Sequence, residues 1–192
     1  MKIRLTALLA VLSVATVGPL VAQERPPEQA STRSIAAATA EAMARLHFLL
    51  GRWEGEATTR MGPGEPQQSR VDEHAYAKLD GRVVLLEGLG TVPDADGGPP
   101  KVVHEAFGVL SYDAEKGEYL MRAIKGDGQT VDADIEVGDR RVVWGFAVPS
   151  GRIRYTLELD GEGRWHEVGE FSRDGTAWMR ILEMTLRRVG EP

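Results

Sequence analysis

Residues 130–159 read TVDADIEVGDRRVVWGFAVPSGRIRYTLEL. Three short runs rich in Val, Ile, Leu, Trp and Tyr are separated by Gly138-Asp139 and Ser150-Gly151. Such residue pairs accept positive φ, which suits tight hairpins because it matches the twist of the flanking strands. The same rhythm recurs at Asp80-Gly81, Asp127-Gly128, Asp160-Gly161 and Asp174-Gly175, with looser breaks over 61–66, 93–100 and 113–117. The spacing predicts about ten strands, near 53–60, 69–79, 82–91, 101–112, 118–125, 130–137, 141–149, 152–159, 164–172 and 176–189. No helical stretch interrupts them. The expected fold is therefore all-β, an antiparallel up-and-down barrel.

The chain upstream of the strands reads differently. Residues 1–22 begin with Lys2 and Arg4, continue through an apolar run from Leu5 to Val17, and end on the small Ala22. That is the pattern of an export signal, too short and interrupted for a membrane span. Residues 23–33 are rich in Pro, Gln and Ser and read as a flexible linker. Residues 34–50 read as a helix capped by Ser34, with Ile35, Thr39, Ala42, Met43, Leu46 and Leu50 near one face. Such a helix is expected to plug one end of a barrel occupying 51–190. The chain has 192 residues, no cysteine and a formal charge of -6, and loss of Lys2 and Arg4 on cleavage makes it more acidic. An acidic chain is a poor nucleic-acid binder. Zero cysteines exclude disulfides and a thiol nucleophile. The expected location is periplasmic or secreted, without stable membrane insertion after cleavage.

Turn length sets register, and register decides which side chains share a face. Two-residue turns at Asp127-Gly128, Gly138-Asp139, Ser150-Gly151 and Asp174-Gly175 place mostly apolar partners together. They also put Arg122, Arg180, Glu167 and Tyr155 on the inward face, with Glu167 and Arg180 as diagonal neighbours. Trp144, Trp165 and Trp178 fall inward beside them.

The stretch Gly51-Arg52-Trp53 carries a Gly-x-Trp at the start of the first strand, after a helix and before a ten-strand meander. It resembles the opening of lipocalin-like, or calycin, barrels. That resemblance implies that a late basic residue, Arg187 or Arg188, packs over Trp53. Longer pieces, 78–82 (KLDGR), 104–113 (HEAFGVLSYD) and 165–175 (WHEVGEFSRDG), resemble an exported family known as domain of unknown function 1579. That likeness implies a lipocalin-like fold and no settled activity. The haem-binding nitrobindins share the Gly-x-Trp start and bind haem through a histidine on the last strand. The corresponding position falls near Ile181, and no histidine follows His166, so that haem chemistry is not expected.

Three histidines adjoin glutamates, at Glu73-His74, His104-Glu105 and His166-Glu167. Neighbours on a strand point to opposite faces, so these pairs do not converge, and no metal or cofactor is expected. His74 and His166 read as surface partners of Glu87 and Glu183. The leading functional expectation is binding of a small apolar or amphipathic molecule, one bearing a carboxylate included. Arg122 and Arg180 would then anchor it, with Glu167, Tyr155, Trp144, Trp165 and Trp178 around it. The rival expectations are an enzyme using Glu167 as acid or base, and a structural barrel filled by its own side chains.

Overall fold

The computed structural model describes residues 27–191 apart from 61 and 63. The export signal expected over 1–22 lies outside the described residues. Helix α1 spans Pro27–Ala44, and a single 3-10 turn follows at His47–Leu49. The helix thus begins within the stretch expected as linker. Proline suits a first helical position because its missing N–H is unneeded there, and Glu28, Gln29 and Ala30 are good helix formers.

Ten strands follow: β1 Gly51–Thr59, β2 Gln67–Lys78, β3 Val83–Val92, β4 Lys101–Asp113, β5 Glu118–Lys125, β6 Thr130–Val137, β7 Arg141–Val148, β8 Gly151–Leu159, β9 Trp165–Ser172 and β10 Met179–Gly190. Each pairs antiparallel with the next, and β10 returns to β1, closing the sheet into a barrel. Closure leaves no unpaired sheet edge. This is the antiparallel up-and-down barrel expected from the turns.

Aspartates set several of the turns. Asp113, Asp127, Asp160 and Asp174 each accept a backbone N–H from two residues on. These bonds hold the chain in a turn without help from the sheet.

One end of the barrel is sealed. Met43, Leu46 and Leu49 are fully buried against Trp53, Ala75, Val84, Leu110 and Leu186. The Trp53 indole donates to the Leu49 carbonyl at 2.7 Å, and the Tyr119 hydroxyl donates to the Ala42 carbonyl at 2.8 Å. Arg188 lies over the Trp53 ring, 4.1 Å from its centroid, and donates to the carbonyls of Phe48 and Leu50. Arg188 therefore fills the place that the calycin resemblance assigned to Arg187 or Arg188. Only the C-terminal end of α1 packs this way; Ile35, expected on the apolar face, is exposed.

Register departs from the two-residue expectation in instructive ways. At Asp80-Gly81 it holds, and His74 pairs with Glu87. At Gly138-Asp139 and Ser150-Gly151 it slips by two, so Trp144 faces Tyr155 rather than Leu157. A slip of two preserves faces. At Asp127-Gly128 the loop is Gly126, Asp127 and Gly128, with Gly128 at φ +82° and Lys125 bonded to Gln129. Three residues instead of two shift register by one, so Arg122 pairs with Asp132 and points outward. Around Asp174-Gly175 the wider loop sets Phe171 opposite Met179, which turns Trp178 and Arg180 outward. A bulge between Arg180 and Leu182 then shifts register again and returns Glu167 to the inward face, opposite Met184.

Candidate functional site

The barrel interior divides into two walls. In the circular strand order β3 stands opposite β8. The β1–β5 side presents small inward residues: Ala57, Gly88, Gly90, Ala106 and Ala123. The β7–β9 side presents Trp144, Phe146, Tyr155 and Phe171. Trp144 and Tyr155 stack at 4.1 Å with an interplanar angle of 15°. Gly169 makes this possible, since a Cβ there would sit 2.7 Å from the Tyr155 ring. Large residues thus face small ones across the interior, and Trp144, Phe146, Tyr155 and Phe171 all keep accessible surface. The floor is Trp53 and Trp165, packed edge to face at 5.6 Å.

Two carboxylates among the described residues, Glu73 and Glu167, lie on the inward face. Glu167 is 7% exposed and accepts the Trp165 indole N–H at 3.0 Å. Glu73 pairs across the strands with Trp53 on one side and Gly88 on the other. Its carboxylate occupies the space a side chain at position 88 would take: a Cβ there would lie 2.5 Å from Glu73 Oε1. Among the described residues Glu73 has no hydrogen-bond or ion-pair partner; it is half-buried and keeps accessible surface. Burial pushes both carboxyls above their ordinary value. Glu73 is pushed further, because the Glu167 charge adds to the effect and no N–H offsets it. The indoles of Trp165 and Trp144 support the Glu167 charge. Burial and the Glu167 charge together push the Tyr155 hydroxyl up to about 12.

The other sequence-derived candidates lie elsewhere. Arg122 is on the outer surface in a bidentate ion pair with Asp132, at 2.6 and 2.8 Å. Arg180 is outside too, bonded to Glu183 at 2.8 Å, so it does not meet Glu167. Trp178 is outside, with the Arg154 guanidinium stacked 4.0 Å from its ring centroid. All three were misplaced for one reason: a one-residue change in loop length inverts every side chain behind it. Glu167, Tyr155, Trp144 and Trp165 do come together inside. The expected anchors for a ligand carboxylate are thus replaced by two acids.

Sequence reasoning passed over Glu73 as a lining residue. Its signal was present, because Val71, Glu73, Ala75 and Ala77 alternate with Asp72, His74, Tyr76 and Lys78. Glu73 is the charged member of an otherwise apolar face. His74 and His166 lie on the outer face near Glu87 and Glu183, at 3.7 and 3.5 Å. His104 sits on the inward face at the open rim, beside Gly90. Burial and the nearby Lys125 charge hold its pKa below the usual histidine value. Lys125 itself is turned toward Asp127, at 3.0 Å.

No family model matches the chain, and no curated protein matches it either. Among solved structures it is similar to the crystal structure of Rv2717c from M. tuberculosis, with a TM-score of 0.56 and 16% identity. The match covers 78% of this chain and 98% of that one. At that identity the likeness establishes the shared barrel fold. No helix among the described residues is long and apolar enough to cross a membrane.

Proposed function

We propose that this protein is an exported barrel that binds a small apolar or amphipathic molecule, taken in through the end opposite α1. One observation carries the reading: an aromatic wall stands across from a glycine- and alanine-lined wall, above a sealed floor. Apolar pockets with a few placed polar groups are the usual form of small-molecule sites. The partly accessible aromatics favour a lined hollow over a barrel filled by its own side chains. The signal-like residues 1–22 support a periplasmic or secreted location, and the resemblance to the 1579 family fits such an exported barrel. An acid or base role for Glu167 is the rival reading; it draws on the burial that raises the Glu167 carboxyl above its ordinary value.

Native mass spectrometry of freshly purified protein tests the binding reading, with Ala123→Trp as the blocked variant. Ala123 faces inward on β5 opposite Gly108 and Val131, so an indole there occupies the hollow. A small-molecule adduct on the wild type that is absent from a folded Ala123→Trp supports binding inside the barrel. An adduct retained by that variant places the ligand elsewhere, and no adduct under gentle conditions counts against the reading.

A further inference from the structure

Among the described residues, the barrel interior holds two carboxylates, Glu73 and Glu167, and no basic group within hydrogen-bond reach of either. A carboxylate withdrawn from bulk water without a partner is costly, and proteins usually pair or neutralise it. Glu167 is partly satisfied by the Trp165 indole. Glu73 has neither donor nor counter-ion among the described residues. Its place is nevertheless built: Gly88 leaves the gap into which the carboxylate reaches, and a side chain there would collide with it at 2.5 Å. The β2 face around it is otherwise apolar, with Val71 and Ala75 buried on either side.

The aromatic rings complete the pattern. Trp53 lies across the strand pair from Glu73, and Trp165 packs against Trp53 while bonding Glu167. Trp144 and Tyr155 stack above. Aromatic faces attract cations through their quadrupoles, and the attraction grows when water is excluded. Acids among ring faces form a receptor for an ammonium group and a poor one for a carboxylate. At the rim, Lys125 is turned toward Asp127, and the His104 environment favours its neutral form. The chain's charge of -6 draws cations rather than anions toward it.

We infer that the molecule bound in the barrel is an apolar amine, its ammonium group received between Glu73 and Glu167 and its hydrocarbon part lying along Trp144, Tyr155 and Phe146. The inference rests on the proposal that the hollow binds a small molecule. It reverses the carboxylate-bearing ligand expected from sequence, because the arginines that would have bound one point outward.

Three probes of equal chain length separate the possibilities: octylamine, octanol and octanoate, titrated into the purified protein near pH 7 by calorimetry or tryptophan fluorescence. Octylamine is expected to bind at least about ten-fold more tightly than octanol, and octanoate more weakly than either. Glu73→Gln, which keeps the shape and removes the charge, is expected to bring octylamine down to the octanol level. Glu167→Gln is a second variant with the same expected direction. Octanol binding as tightly as octylamine, or an amine preference that survives both substitutions, overturns the amine assignment and leaves the binding barrel standing. If none of the three probes binds, the binding reading falls with it.

Discussion

At the scale of the residue, Gly88 and Glu73 form one unit. Gly88 does not take a positive φ, so its role is spatial. A methyl group there meets the Glu73 carboxylate and forces it from its niche. Gly88→Ala is expected to cost about 1–3 kcal/mol, the usual range for overpacking a fitted site. In a Glu73→Ala background most of that cost disappears, because the colliding atoms are gone. A double-mutant cycle in urea checks this, and strictly additive effects would show that the two residues are independent. The partnership was partly legible. The alternation of β2 marks Glu73 as inward once register is known, but which residue stands opposite follows only from the neighbouring strand.

Elements bring different physics. The floor depends on β10 reaching the end of α1 through Arg188, which stacks on Trp53 and ties down two carbonyls of the 3-10 turn. Arg188→Ala should therefore cost about 2 kcal/mol, chiefly through the charged hydrogen bonds. The loss should be local. Hydrogen exchange is expected to quicken over 43–50 while β7 and β8 keep their protection. Uniform acceleration throughout the barrel would argue that Arg188 supports the whole sheet. The turns show why strands are easier to read than faces. Asp-Gly pairs announced where strands end, and those boundaries agree with the structure to within a few residues. Loops of two and three residues carry nearly the same composition, yet they place the following strand on opposite faces. Even slips left Trp144, Tyr155 and Glu167 inside. The odd ones sent Arg122, Arg180 and Trp178 out.

For the whole molecule, two opposed sets of carboxyls shape stability against pH. Glu73 and Glu167 have folded pKa values raised above their ordinary 4.5. Between 4.5 and those raised values the folded protein binds more protons than the unfolded chain. Their favourable contribution is thus complete below 4.5 and is lost as pH rises through the folded values. Asp113, Asp127, Asp160 and Asp174 are held below their ordinary 3.8 by turn hydrogen bonds. Their contribution is present above 3.8 and fades as pH falls. The melting temperature is expected to peak in mildly acidic solution and decline toward neutral pH. Glu73→Gln should flatten that decline and raise the melting temperature at neutral pH. An unchanged slope across about pH 5 to 8 would show that Glu73 does not titrate in the folded barrel.

The sequence by itself determined the number of strands, their antiparallel order and the sealing of one end by a helix, because turn chemistry and hydrophobic alternation are local properties. It also held the residues of the hollow, Trp144, Tyr155, Trp165 and Glu167. Only the tertiary structure decided which charges face inward. That choice depends on one-residue differences in loop length and on a bulge in β10, which the pairing of whole strands settles. The meeting of Glu73 on β2 with Glu167 on β9 exists only because β10 closes on β1, bringing distant segments around one interior.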